Sequence, residues 1–152
     1  MIPDFTDGVL PDGVHVCTLD EVAERFGRLQ GSDQRLKLTE ALTRYIKEVR
    51  SLGVATAVII DGSYVTIKAQ PSDIDMILVF RKNLVWKHEL MPAAYNVGSF
   101  RMVRRMYGFD VLAARSDSPR YADYLEWFGQ VRPNDPEMRT SRKTKGVLRI
   151  EL

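Results

Sequence analysis

The pattern of apolar and polar positions along the chain predicts short buried strands that alternate with amphipathic helices. Nearly continuous apolar runs at 55–60, 74–80 and 108–113 are typical of strands covered on both faces, and the run at 147–152 predicts a strand close to the end of the sequence. The first 17 residues contain several prolines and glycines and are expected to be extended. The alternation predicts an α/β (α+β) domain.

Helical periodicity predicts four helices, two before the first of these strands and two between the later strands. Thr18 and Glu21 have the spacing of a capping box, which opens a helix to about residue 26. Ser32 is the expected N-cap of a longer helix that ends at Gly53. Two further helices are predicted at 88–106, with a weak point at 96–98, and at 118–129, and residues 63–70 are expected to begin with a helical turn. The residues expected to face the core are Leu36, Leu38, Leu42, Tyr45, Ile46 and Val49 in the long helix and Tyr121, Tyr124, Leu125 and Phe128 in the last. Both tryptophans, Trp86 and Trp127, are expected to pack in the fold rather than to stack on a base.

Length and composition indicate one domain that covers residues 1–152, with an extended segment at 1–17 and a basic loop and strand at 134–152. The 152 residues are 45% apolar, which is enough for a sizeable core. The 22 basic and 20 acidic residues give a net charge of +2, which does not indicate general affinity for nucleic acid. The single cysteine cannot form an internal disulfide, and no apolar run approaches a membrane span or forms part of a signal peptide. These features predict a cytoplasmic protein.

Candidate chemistry is concentrated where the first strand ends and the second begins. Gly62-Ser63 follows the first run directly, and Asp73-Ile74-Asp75 opens the second. Residues i and i+2 of a strand share a face, so both carboxylates are expected to project from one side and to attract a cation such as Mg²⁺. Glycine lets backbone approach a phosphate closely, and serine donates a hydroxyl. The alternative interpretations are an ordinary turn and a solvated strand edge.

A third acidic residue, Asp110, lies within the apolar run 107–114. A carboxylate in such a run needs a metal ion or a basic partner, because an unpaired buried charge is costly. The alternative to a metal is an ion pair with Arg101, Arg104 or Arg105.

Together these motifs resemble the polymerase-beta-like nucleotidyltransferase superfamily in its minimal form. Its signature is an apolar residue, Gly and Gly or Ser, a spacer, Asp-apolar-Asp/Glu-apolar, and a later strand with a third acidic residue. The chain has 60–63, nine intervening residues, 73–76, and then Asp110, although Asp61 stands where the pattern prefers an apolar residue. The segments Leu10-Pro11-Asp12-Gly13-Val14-His15 and 21–26 are similar to those of a group of small bacterial proteins in this superfamily.

The resemblance implies a nucleotidyltransferase fold, in which a small mixed sheet is flanked by helices, and an enzyme that moves a nucleoside monophosphate from a triphosphate to a hydroxyl acceptor. Asp73, Asp75 and Asp110 would be the catalytic and metal-binding residues for two Mg²⁺ ions, which Mn²⁺ could replace, and Gly62 and Ser63 would hold phosphates. The acceptor could be a protein, an RNA or a small molecule. The implied protein partner is a helical toxin-type protein, to which this chain would be the antitoxin-type counterpart.

Basic residues offer further phosphate ligands. Lys68 and Lys145 are predicted to bind the nucleotide, and Arg142 is another candidate in the basic segment. The alternative is that this segment is a solvated loop. Two other hypotheses stay open: a binding module of the same fold that acts by protein contact alone, and a different metal site formed by Asp61, Asp73 and Asp75.

Overall fold

The computed structural model of the protein describes residues 1–85, 92–133 and 140–152. Within these ranges there are five strands and five α-helices. The strands are β1 (Val14–Cys17), β2 (Ala55–Asp61), β3 (Asp75–Phe80), β4 (Asp110–Arg115) and β5 (Val147–Glu151). The helices are α1 (Leu19–Phe26), α2 (Asp33–Leu52), α3 (Pro92–Gly98), α4 (Phe100–Tyr107) and α5 (Pro119–Phe128). The expected α/β (α+β) class is therefore confirmed.

The strands form one mixed sheet in the order β1-β5-β2-β3-β4. The two central pairs, β5 with β2 and β2 with β3, are antiparallel, whereas the outer pairs, β1 with β5 and β3 with β4, are parallel. The end of β2 and the starts of β3 and β4 lie side by side at one end of the strands. We call this end of the sheet the acidic edge. The acidic residues of the predicted site lie at this edge.

The two faces of the sheet are packed very differently. Helices α1 to α4 cover one face, which we call the covered face; its strand residues include Val58, Ile60, Met76, Leu78 and Val111. The opposite face, called the cleft face, carries Ala57, Ile59, Ile77, Val79 and Leu112 and packs against α5. Since neighbouring residues of a strand point to opposite faces, the continuous apolar runs supply both layers.

Local sequence signals fix several helix ends. Thr18 and Glu21 form the expected capping box at α1, and the Ser32 side chain accepts a hydrogen bond from Arg35 N at the start of α2. Helix α2 ends at Gly53, which adopts a left-handed conformation with φ of 63°. None of the helices in the described ranges is long and apolar enough to cross a membrane.

Three interpretations of the sequence need correction. Leu36 is 46% exposed and does not belong to the apolar face of α2, and Trp127 is 55% exposed rather than packed in the core. The predicted helix at 88–106 is two helices, because Ser99 has extended backbone and caps α4 by accepting a hydrogen bond from Met102 N. Its first residues and Trp86 lie outside the described residues. Only a single turn, Ser63–Val65, is helical within 63–70.

Candidate functional site

Three aspartates stand side by side at one edge of the cleft face. Asp61 of β2 is the register partner of Asp75 of β3, and Asp75 is the register partner of Asp110 of β4. Residues paired in this way project to the same side of a sheet. Asp73 lies two residues before Asp75 and lines the same cleft as Asp61 and Asp75. The structure thus brings the predicted carboxylates to one edge, with Asp61 as an additional member.

Gly62 is required by the close approach of the turn to Asp75. Its φ is 82°, a conformation that side chains rarely adopt, and an added Cβ would lie 2.3 Å from Asp75 Oδ2. Sequence reasoning assigned this glycine to phosphate approach. The structure adds a second reason, which is that the backbone of the turn packs directly on the Asp75 carboxylate.

Asp75 is in an unfavourable electrostatic environment. Burial raises its pKa to about 6, with further contributions from the negative charges of Asp73, Asp61 and Asp110, while Arg132 opposes the shift. A cation placed beside such a carboxyl group would stabilise its ionised form. The edge therefore carries more negative charge than the surrounding side chains neutralise.

Arg104 of α4 partly neutralises that charge at the outer side of the edge. Its Nη1 donates to Asp73 Oδ2 at 2.9 Å and to Asp110 Oδ1 at 3.0 Å, and both ion pairs are exposed to solvent. One of the three arginines proposed as partners of Asp110 thus contacts it. Within the described ranges, no three acidic, histidine or cysteine side chains already surround a common point as metal ligands would. Arg104 lies between two of the candidate ligands.

A second cation, Lys145, forms a buried ion pair with Asp61. Both side chains are less than a tenth exposed, and burial raises the pKa of Asp61 while Lys145 opposes the shift. Lys145 also lines the cleft, but its ammonium group is bound to Asp61. This pair explains why Asp61 is tolerated where the superfamily pattern prefers an apolar residue.

The N-terminal segment holds Lys145 in place through its neighbour Gly146. Gly146 N donates to Leu10 O at 3.0 Å, and a Cβ at this position would lie 2.0 Å from Pro11 O. His15 Nε2 is 2.7 Å from the same carbonyl. The Leu-Pro-x-Gly-x-His segment is therefore structural, since it packs against the Lys-Gly pair that precedes β5.

Nearby, the described part of the basic segment is largely exposed to solvent, as the alternative predicted, but it is also anchored to the N-terminal segment. Arg142 pairs with Asp12 at 3.1 Å, and Thr140 and Ser141 donate to Asp7. Arg139 lies outside the described residues.

The buried residue Arg35 supports the turn that borders the cleft. Its guanidinium donates to the carbonyls of Tyr64 at 2.7 Å, Thr66 at 2.8 Å and Lys68 at 3.1 Å. Burial lowers the pKa of Arg35 to about 10. Sequence reasoning missed Arg35, because its targets lie 29 to 33 residues further along the chain and the local pattern contains no signal for them.

One cleft of about 340 Å³ is bordered by the acidic edge, by the turn after β2 and by Lys145. One wall consists of the acidic edge and the turn after β2, including Ser63, Thr66 and Lys68. The other wall is the end of α5 and the segment after it; its residues are Trp127, Phe128, Gln130, Val131, Arg132 and Pro133. The volume is in the range of small-molecule sites. Of the predicted site residues, Gly62, Ser63, Lys68, Asp73, Asp75 and Lys145 line this cleft, and Asp110 adjoins it through Asp75.

Comparison with known proteins gives a family. A family of unknown function (DUF6932) has a sequence model that matches residues 3–151. The chain belongs to DUF6932. No curated protein and no solved structure matches it. The matched range of this DUF6932 protein includes the acidic edge, the Gly-Ser turn and the N-terminal segment. Since the function of the family is unknown, a function for the cleft has to be inferred from its geometry and chemistry.

Proposed function

We propose that the protein is a nucleotidyltransferase that uses Mg²⁺ to transfer a nucleoside monophosphate from a triphosphate to a hydroxyl acceptor. The observation that supports this most directly is the convergence of Asp61, Asp75 and Asp110 on one edge beside the Gly62-Ser63 turn. The motif order also resembles the polymerase-beta-like superfamily.

The donor set of the edge suits magnesium. Asp73, Asp75 and Asp110 offer hard carboxylate oxygens. Burial, and after it the negative charges of neighbouring aspartates, raises the pKa of Asp75, so a cation beside it would be favoured. These three side chains would hold the two Mg²⁺ ions that the resemblance implies. When bound, Mg²⁺ supplies charge neutralisation at the phosphates and at the attacking and leaving oxygens.

The side chains and backbone of the cleft position the substrate. The Ser63 hydroxyl and the turn at Gly62 face the cleft and would hold the β- and γ-phosphates. Lys68 and Arg132 line the same space and would offset the triphosphate charge. Asp110 would accept the proton of the acceptor hydroxyl once Arg104 has moved off its carboxylate. Positioning of this kind accounts for most catalysis in phosphoryl and nucleotidyl transfer.

A binding module that acts by contact alone is the second candidate. The ion pairs of Arg104 with Asp73 and Asp110 favour it, because a built-in cation already occupies the position between two candidate ligands. In that case the ion pairs of the acidic edge would serve only to stabilise the fold, and a partner would bind equally well without metal or nucleotide.

The resemblance leaves the acceptor open but suggests one partner class. A hydroxyl on a protein, an RNA end or a small molecule would serve, and a helical toxin-type protein modified by nucleotidylation is the partner class we propose. The only cysteine, Cys17, is buried and unpaired, which is consistent with a reducing cytoplasm.

The test is transfer of label from each of the four labelled nucleoside triphosphates with Mg²⁺ or Mn²⁺, with and without host lysate. We expect label on a discrete protein or RNA band, abolished in Asp73→Asn/Asp75→Asn and retained in Asp123→Asn, which changes an exposed aspartate of α5. Absence of transfer together with absence of metal-dependent nucleotide binding would favour the contact-only module.

A further inference from the structure

The wall of the cleft opposite the acidic edge contains a large aromatic side chain that the fold does not use. Trp127 is at the end of α5, is 55% exposed and lines the cleft. Its neighbour Phe128 is buried in the cleft-face core, and the two ring centroids are 5.7 Å apart. Phe128 supplies the apolar contact with the sheet, and more than half of the Trp127 side chain stays accessible in the cleft.

The segment that follows Trp127 is held firmly by main-chain hydrogen bonds. Val131 N donates to Lys143 O at 2.9 Å, and Lys145 N donates to Gly129 O at 2.9 Å. Gln130 forms an isolated bridge with Thr144 between these two contacts. The side chains of this wall therefore project from a backbone that hydrogen bonds hold in place. The segment paired with it, 143–145, ends at Lys145, which reaches the acidic edge.

The two walls of the cleft offer different groups, one set suited to the phosphates of a nucleotide and the other to its base. The edge and turn offer oxygens for metal and donors for phosphate, whereas the opposite wall offers an indole face and the Gln130 amide, which both donates and accepts hydrogen bonds. Aromatic faces stack on bases of every kind, and an exposed Gln can recognise a base edge. Arg132 belongs to the same wall and places a positive charge near Asp75.

We propose that Trp127 and Gln130 form the nucleobase subsite of the cleft, with the base stacked on the Trp127 indole and its edge facing the Gln130 amide. This rests on the proposed function, because it assumes a nucleotide whose phosphates lie at the acidic edge. In this subsite Trp127 supplies most of the affinity for the base, and Gln130 supplies the discrimination between bases.

The experiment compares a ligand that has a base with one that has none. Binding of a non-hydrolysable nucleoside triphosphate and of inorganic tripolyphosphate, each with Mg²⁺, is measured by calorimetry on wild type, Trp127→Ala and Trp127→Phe. The matched control is Tyr95→Ala, which removes an aromatic side chain of α3 that is 59% exposed and does not line the cleft. Thermal melting of each variant verifies that it is folded.

We expect Trp127→Ala to weaken nucleotide binding by roughly 5- to 100-fold, the loss typical of one base-stacking side chain, and to leave tripolyphosphate binding unchanged. Trp127→Phe should restore part of the affinity, and Tyr95→Ala should have no effect. Gln130→Leu should bring the affinities for the four triphosphates closer together.

Two results would overturn the subsite in different ways. If the wild type binds both ligands and Trp127→Ala weakens both equally or neither, the base lies elsewhere while the proposed function stands. If the wild type binds neither ligand, the proposed function and the subsite are both wrong.

Discussion

The two faces of the sheet differ in how completely helices cover them. Four helices bury the covered face, and its residues at the acidic edge, such as Ile60, Ile74 and Met76, are fully buried. The cleft face has one helix, α5, which ends at Phe128 and leaves the edge accessible. The carboxylates appear only on this second face, at positions adjacent in sequence to the buried aliphatic residues.

The difference shows how a single strand end serves stability and chemistry at once. A step of one residue, from Ile60 to Asp61 or from Met76 to Asp75, replaces an apolar side chain on the covered face with a carboxyl group on the cleft face. The covered face also supports the cleft, because Arg35 of α2 holds the turn that borders it. The predictions below test how far each face depends on the other.

The largest effect on stability is expected from breaking the buried pair on the cleft face. Lys145→Met leaves Asp61 buried without its partner, and we expect the free energy of unfolding to fall by about 3–5 kcal/mol. Asp61→Leu/Lys145→Met should recover most of the loss, since neither charge remains. Urea unfolding measures both; a loss below about 1 kcal/mol in the single variant would show that the pair is not buried as described.

Removal of Arg35 tests the support from the covered face. In Arg35→Met the carbonyls of Tyr64, Thr66 and Lys68 lose their donor, and we expect a loss of about 3 kcal/mol, because each unsatisfied buried carbonyl costs about 1–3 kcal/mol and part of the cost is relieved by relaxation. Nucleotide affinity should fall as well. Lys47→Met, which alters an exposed lysine of the same helix, is the control and should change the free energy of unfolding by less than about 0.5 kcal/mol.

A smaller, pH-dependent effect is expected from Asp75. The unfolded chain releases this proton near the ordinary pKa of 3.8, while the folded protein retains it to about 6. Between these values the folded state binds more protons, so the free energy of unfolding falls as the pH rises from about 4 to about 6, by up to about 3 kcal/mol. Relative to wild type, metal-free Asp75→Asn should lack this decline and be the more stable protein at pH 8. Parallel pH profiles for the two proteins would contradict the electrostatic account of the edge.

The smallest effect on stability is expected from Arg104, which makes exposed ion pairs. Arg104→Gln should change the free energy of unfolding by less than about 1 kcal/mol. It should nevertheless tighten binding of Mn²⁺ alone by roughly two- to fivefold, because the competing cation is removed from Asp73 and Asp110. Arg101→Gln on the same helix is the control. Unchanged or weaker Mn²⁺ binding would mean that Arg104 does not compete with metal.

Local signals in the sequence predicted the elements, and long-range contacts explain what they did not predict. Capping at Thr18 and Ser32 and the left-handed stop at Gly53 depend on residues a few positions apart, which a sequence displays directly. The exposure of Leu36 depends on which helix face meets the sheet, and spacing alone leaves a margin of one residue at the border of the stripe.

The candidate site was predictable where its chemistry is adjacent in sequence. Gly62, Asp73 and Asp75 stand at strand ends that the apolar runs define, and the structure places them in one cleft. The pairing of Asp61 with Lys145 spans 84 residues, and the position of Trp127 in the cleft follows from the packing of α5 on the cleft face. Neither has a local signal, because both are set by the topology of the chain.

The most direct test of the central claim, that the open edge of the cleft face binds a nucleoside triphosphate through a divalent cation, is calorimetric titration of a non-hydrolysable triphosphate with and without Mg²⁺. We predict binding that requires Mg²⁺, is lost in Asp75→Asn and is retained in Asp123→Asn. Binding that is the same without Mg²⁺ or in Asp75→Asn, or no binding under any of these conditions, would contradict the account.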